Sequence, residues 1–312
     1  MKRIHTLTLN PTIDTSTSVG SVVPDNKLRC SSPRHEAGGG GINVSRVLTR
    51  LDTGSRAIYT AGGENGKRLT RLLREEGIEI VPVSISGMTR ENFMVYEESS
   101  GQQFRFGMPG PEMVQEESEH LLKELPSLMS EANYLVASGS LPPGVPESYY
   151  AEVASIASNS GVRFVVDTSG AALRAAVKAG VYLLKPNMRE LQELTGQIIE
   201  NESQQLNAAE KILSEGKCEI LVLSLGAQGV LLFTEGHKER LRAPSVPVKS
   251  RVGAGDSMVA GMVKMLSEGS SVKEAVLFGI AAGSAATMTP GTELCRKEDV
   301  CRLYDQLLSG ET

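Results

Sequence analysis

Tryptophan is absent from the 312-residue chain, and only 7 Tyr and 6 Phe are present. A core must therefore rest on Val, Leu, Ile and Ala. Cysteine is scarce too: Cys30, Cys218, Cys295 and Cys301 are scattered, with no C-x-x-C spacing. Neither a disulfide framework nor a zinc site follows from that pattern, and reduced thiols in a cytosolic enzyme are the easier reading. No basic tract exists, and 32 Lys and Arg against 37 Asp and Glu leave a net charge of −5. Nucleic acid is thereby excluded as the main partner. An export signal is not expected, because His5, Asn10, Pro11 and Asp14 interrupt any apolar segment after Lys2 and Arg3. The longest uncharged run, residues 275–292, approaches the length of a membrane span. It carries Gly279, Gly283, Ser284, Thr287, Thr289 and Pro290, which suit a buried helix ending at Pro-Gly, so no membrane role is expected. The histidines His5, His35, His120 and His237 lack ligand spacing, and the 11 Met read as packing residues.

What is present is ample apolar material: 40% of residues are hydrophobic and 22% charged, with 32 Gly against 14 Pro. Disorder is excluded. From about residue 132, short apolar runs alternate with helical patterns. Residues 134–137, 163–166, 182–184 and 220–223 read as buried strands, and residues 147–159, 170–178 and 203–215 as helices between them. That alternation predicts an α/β fold, with a mainly parallel sheet covered by helices on both faces. A strand at 4–9 and a helix at 42–51 extend the pattern to the N-terminal part. Residues 12–36 and 88–108 break it. The second segment reads as a hairpin, 92–97 and 103–106, with Phe104 and Phe106 on one face and Arg105 on the other. Together the two segments predict a small β-sheet lid over a site, a subunit interface, or both.

Three constellations carry chemistry. Gly38-Gly39-Gly40-Gly41-Ile42-Asn43 leads into a helix, so backbone amides can approach a ligand closely, and Asn43 suits sugar hydroxyls. A flexible linker is the plainer alternative. The run fails the G-x-G-x-x-G dinucleotide pattern, because Asn43 stands at the last glycine and no strand feeds it directly. Val252-Gly253-Ala254-Gly255-Asp256-Ser257 precedes another helix. Its amides can form an anion hole, and the Asp256 carboxylate can meet an incoming hydroxyl; an ordinary Asp helix cap is the alternative. Lys185 and Asn187 follow a parallel strand, on the edge where α/β sheets bind ligands. Glu190 lies within reach of a hydrated Mg²⁺, or else completes a capping pair with Asn187. Ser138-Gly139 also follows a strand, on the same edge.

These segments resemble the PfkB (ribokinase-like) carbohydrate kinase family over essentially the whole chain. Residues 38–43 resemble its N-terminal signature, residues 252–257 its C-terminal one, and Asn187-x-x-Glu190 its magnesium motif. Within the family the resemblance is closer to the minor-type 6-phosphofructokinase branch. It is carried by Thr6-Leu7-Thr8-Leu9, Asp14, Lys27-Leu28-Arg29-Cys30, residues 138–144 and residues 222–226. Gly40 is similar to that branch, where many phosphosugar relatives carry lysine. Arg251 departs from the family, which usually has a small hydroxyl residue there.

The resemblance implies one ribokinase-like domain over residues 1–312, with the lid formed by insertions 12–36 and 88–108. It implies ATP-dependent phosphorylation of fructose 6-phosphate at its 1-hydroxyl. The Phe104 and Phe106 face, which no following helix is placed to cover, predicts a homodimer joined through the lids. Asp256 would be the base, and the amides of Gly253, Ala254, Gly255 and Asp256 would stabilise the transferring phosphoryl group. Lys185, Asn187, Ser224 and Gly226 would bind ATP. Glu190 would hold Mg²⁺ through water, and a monovalent cation could sit beside the glycine turn. Asp14, Gly39 and Asn43 would grip the sugar, with Ser138 and Gly139 nearby. Lys27, Arg29 and Arg90 would hold the sugar's phosphate by charge-assisted bonds, with Arg105 a further candidate. Tagatose-6-phosphate kinase and 1-phosphofructokinase keep this chemistry with another sugar. A non-catalytic nucleotide sensor on the same fold and a nicotinamide-dependent oxidoreductase are the alternatives from other classes.

Overall fold

The computed structural model describes residues 3–310, so of the residues named above Lys2 lies outside it. Strand β1 (Ile4–Thr8) is buried along its whole length, as its central place between β4 and β8 requires, although His5, Thr6 and Thr8 are polar. The chain then leaves the main body for β2 (Thr12–Val19) and β3 (Arg34–Gly38), returning through the glycine run into α1 (Gly40–Arg50). Next come β4 (Ser55–Ala61), α2 (Gly63–Glu75) and β5 (Glu79–Ser84). A second excursion makes β6 (Arg90–Glu97) and β7 (Gln103–Phe106). After α3 (Gln115–Leu128) follow β8 (Tyr134–Ser138), α4 (Tyr149–Asn159), β9 (Arg163–Asp167) and α5 (Gly170–Ala179). The alternation continues with β10 (Val181–Leu184), α6 (Met188–Thr195), α7 (Glu202–Ser214) and β11 (Cys218–Ser224). An antiparallel hairpin, β12 (Val230–Thr234) and β13 (His237–Leu241), precedes α8 (Ala254–Glu268), α9 (Val272–Thr287) and α10 (Lys297–Ser309).

The main sheet has the order β13-β12-β11-β10-β9-β8-β1-β4-β5, parallel from β11 through β5. The α/β architecture expected from the sequence is therefore present, with an antiparallel edge at β12 and β13. One apolar layer packs α1, α8, α9 and α10 on one face of the sheet; another packs α3, α4, α5 and α7 on the other. The order reverses at β1, which pairs with β4 on one side and β8 on the other. A crevice opens at such a switch point, beyond the C-terminal ends of the strands. The uncharged run 275–292 forms most of α9, where Gly279 lies against Met258 and Met262 of α8 too closely for any side chain. No described helix is long and apolar enough to cross a membrane.

The two excursions pair as a separate four-stranded sheet, β3-β2-β6-β7. Register assigns its faces. Asp14 aligns with Asn92 and Glu36, and Met94 with Arg105, so these side chains share one face. Phe93 aligns with Phe106 and Val95 with Phe104 on the opposite face, where Phe93 and Phe106 are 42% and 49% exposed.

Candidate active site

Two helix N-termini meet at the crevice. Gly39 caps α1 with φ 117°, a conformation that favours glycine, and the first helical bond runs from Asn43 N to Gly39 O at 2.8 Å. Gly253 caps α8 with φ 70°, and there the first bond runs from Ser257 N to Gly253 O at 2.8 Å. The amides of Ala254, Gly255 and Asp256 precede that bond and have no intrahelical acceptor. They remain available to an anion, as the dipole of the helix favours. A side chain at position 253 would come within 2.3 Å of Leu294 Cδ2, so packing demands glycine there as well.

Asp256 lies on the first turn of α8 and Asn43 on the first turn of α1. Asn43 Nδ2 donates to Asp256 Oδ2 at 2.9 Å, and Ser138 Oγ donates to Asp256 Oδ1 at 3.3 Å. Desolvation, with the nearby charge of Asp167, pushes the Asp256 carboxyl up to about 6, against the pull of Asn43, Lys185 and Ser138. That value suits a group that must accept a proton near neutral pH. Gly40 packs directly on the β8 end: a Cβ there would stand 2.1 Å from Ser138 Oγ and 2.9 Å from Gly139 N. Gly139, with φ 109°, donates its amide to Asp167 O at 3.0 Å.

The next strand ends complete the edge. Asp167 closes β9, and its Oδ1 is 3.3 Å from the ammonium of Lys185, just past β10. Lys185 is 9% exposed; burial alone would weaken its charge, but Asp167 and Glu190 hold its pKa above the ordinary value. Both groups border the glycine turn, since a Cβ at Gly255 would lie 3.6 Å from Lys185 Nζ and 3.8 Å from Asp167 Oδ2. Asp167 escaped the sequence reading, which ended that strand at residue 166. The available signal was an acid closing an apolar strand on the ligand-binding edge. Asn187 and Glu190 form a reciprocal cap on α6: Glu190 N donates to Asn187 Oδ1 at 3.0 Å, and Asn187 N to Glu190 Oε2 at 2.9 Å. The cap leaves one Glu190 oxygen over, and burial, with Asp167 nearby, raises the pKa of the group. Ser224 is held to the same corner, donating from N and Oγ to Pro186 O at 2.8 and 3.2 Å. Gly226 follows with φ 61° and open space around its Cα.

On the lid, Asp14 accepts from Asn92 Nδ2 at 3.1 Å, and burial raises its pKa. Gly38 lies against it, for a Cβ there would touch Asp14 Oδ2 at 2.2 Å. Asp14, Asn92, Met94, Arg105 and Thr292 line a pocket of about 230 Å³. Arg90 is held by backbone: its Nη1 donates to Met108 O and its Nη2 to Asn10 O, each at 3.0 Å, and its Nε is buried without a partner. Lys27 and Arg29 lie exposed on the loop between β2 and β3, with no ion pair among the described residues. The fold thus gathers Asp256, the glycine turn, Asn43, Ser138, Gly139 and Lys185 in one crevice.

Comparison with known proteins agrees with this arrangement. A model of the pfkB family carbohydrate kinases matches residues 7–299. The chain is 43% identical to the ATP-dependent 6-phosphofructokinase isozyme 2 of Mycobacterium tuberculosis (strain H37Rv), over 97% of this chain and 89% of that one. It superimposes on phosphofructokinase-2 of Escherichia coli in complex with potassium with a TM-score of 0.95, at 42% identity, covering 99% of this chain and 100% of that one. The complex of the E. coli enzyme with fructose-6-phosphate gives 0.93 at 41% identity, covering 99% and 100%. With the two glycine-capped helices, the acid between them and this likeness along nearly its whole length, the chain belongs to the PfkB family of carbohydrate kinases.

Proposed function

We propose that this protein transfers the γ-phosphoryl group of ATP to the 1-hydroxyl of fructose 6-phosphate, yielding the fructose 1,6-bisphosphate of glycolysis. The observation that carries the reading is Asp256, a carboxylate with pKa about 6 on the first turn of α8, beside three free amides. Asp256 accepts the proton of the sugar hydroxyl as that oxygen attacks. The amides of residues 254–256 and Lys185 meet the charge on the transferring group. Asp14, Gly39, Asn43, Ser138 and Gly139 hold the sugar, and Arg90 and Arg105 its phosphate. Lys185, Asn187, Ser224 and Gly226 hold the nucleotide. The family assignment and the 6-phosphofructokinase names of the full-length relatives support the choice of sugar.

Mg²⁺ fits the donor set. Asp167, Glu190 and Asp256 are three carboxylates around one lysine: all three raise the pKa of Lys185, and Asp167 raises those of Glu190 and Asp256. Glu190 and Asp167 would hold the ion through water; when bound, it neutralises charge on the phosphates. A monovalent cation beside the glycine turn belongs to the same reading, which the potassium complex of the E. coli relative supports. The exposed aromatic face of the lid supports a homodimer, which would bring Lys27 and Arg29 to the phosphosugar. The proposed compartment is the cytoplasm.

An assay of ADP release with fructose 6-phosphate, tagatose 6-phosphate, fructose 1-phosphate and fructose, with and without Mg²⁺, tests the reading. Fructose 6-phosphate should give the highest kcat/KM, and only with the metal. Free fructose turned over equally well would contradict it.

A further inference from the structure

Next to Asp14, across the β2–β3 pairing, stands Glu36, which is 7% exposed. Its Oε1 accepts from Arg46 Nη2 at 3.2 Å, and its Oε2 from Thr292 Oγ1 at 2.6 Å. Arg46, 2% exposed, also donates from Nε to both oxygens of Glu76 at 2.9 Å and from Nη1 to Ala37 O at 2.8 Å. Burial would push the Glu36 carboxyl up, but the Thr292 hydroxyl and Arg46 hold it below the ordinary range, so it is ionised at neutral pH.

Each partner belongs to a different part of the sugar site. Glu36 is on β3, two residues before Gly38 and its contact with Asp14. Arg46 is on α1, three residues after Asn43, the donor to Asp256. Thr292 belongs to the segment after α9, and it lines the pocket with Asp14 and Arg105. That segment also braces the catalytic turn: Leu294 packs on Gly253, and Gly291 O accepts from Ser250 Oγ at 2.9 Å. Strand β3, helix α1 and the segment after α9 thus converge on one carboxylate. Lys185 and Asn187 follow β10 and Ser224 ends β11, and none of the bonds at Glu36 reaches them.

The geometry points to Glu36 as a positioning residue for the phosphosugar. It holds the lid strand, the Asn43 helix and the 289–294 segment in one arrangement, so that Asp14, Asn43 and the Gly253 turn address the same substrate. This role rests on the phosphofructokinase reading. It acts on the sugar and leaves the nucleotide alone.

Steady-state kinetics and thermal melts of Glu36→Gln, Glu36→Asp and Thr292→Val test it. Glu36→Gln and Thr292→Val should raise the KM for fructose 6-phosphate at least about fivefold, the scale of a lost bond to a charged group, with the KM for ATP within about twofold. Glu36→Asp should recover part of that loss. Thr292→Val, nearly isosteric, should melt within a few degrees of wild type, which keeps the test valid if Glu36→Gln does not fold. Unchanged sugar KM in Thr292→Val, or equal rises in both KM values with a lowered Tm, would overturn the positioning role. An active wild type with unaltered variants overturns this role alone; a wild type inactive on fructose 6-phosphate overturns the phosphofructokinase reading and this role with it.

Discussion

Asn43 and Asp256 stand 213 positions apart in sequence and 2.9 Å apart in space. The bond ties the first turn of α1 to the first turn of α8, so both positive helix ends face the same point. It also orients the carboxylate: one oxygen is engaged by Asn43 and the other, more loosely, by Ser138 at 3.3 Å.

Asp256 must be ionised to accept a proton, and desolvation has moved its pKa to about 6. The expected outcome is a kcat/KM for fructose 6-phosphate that falls about tenfold per pH unit below about pH 6. Asn43→Ala removes a bond that favours the charged form, so it should move the break to higher pH. A pH–rate profile of both proteins checks this.

Removing the charge separates activity from stability. Asp256→Asn should lose ~10²–10⁴-fold in kcat, as general-base loss does. A carboxyl shifted from 3.8 to about 6 binds its proton more tightly in the folded state than in the unfolded one. Ionisation therefore costs folding stability above about pH 6, and the cost disappears as pH falls toward 3.8. The shift corresponds to about 3 kcal/mol at neutral pH. The Asn variant should melt a few degrees above wild type at pH 7.5, with the advantage gone near pH 4; calorimetry at the two pH values decides.

The phosphate reading of Arg90 predicts a loss confined to the sugar. Arg90→Ala should lower kcat/KM for fructose 6-phosphate about tenfold or more, leaving the KM for ATP little changed. Arg90→Lys should restore little, because one ammonium cannot reach Met108 O, Asn10 O and a phosphate as the guanidinium fork can. Equal losses with free fructose would assign Arg90 to the fold.

Among the described residues the aromatic face of the lid stays about half exposed. Phe93 and Phe106 are adjacent by register and about half exposed, and burying the rest of each is worth roughly 1 kcal/mol. Phe93→Asp with Phe106→Asp should give a monomer in sedimentation equilibrium where the wild type gives a dimer. An unchanged mass would place the interface elsewhere.

The motifs legible in the sequence were those whose residues lie close together along the chain. The glycine runs before α1 and α8, and the Asn187–Glu190 pair, act through adjacent backbone and so leave a local trace. The faces of β7 were legible for the same reason, since alternation is a local property. Asp167 left only a weak trace, an acid at the end of an apolar strand, and Glu36 and Thr292 left none, because they owe their places to each other across 256 positions. The β12–β13 hairpin was missed because β13, His-Lys-Glu-Arg-Leu, has no apolar run to mark it as a strand; the chain turns back at Gly236, with φ 70°. In β5, Pro82 and the exposed Glu79 obscure the strand, which only an edge position tolerates.

A 6-phosphofructokinase places the new phosphate on C1 of its sugar. ³¹P NMR of the wild-type protein with fructose 6-phosphate, ATP and Mg²⁺ reads this directly. The account predicts loss of the ATP γ-signal, appearance of ADP, and a sugar product with phosphomonoesters on both C1 and C6. ADP formed without a second sugar phosphate, or a product phosphorylated at any other carbon, would contradict it.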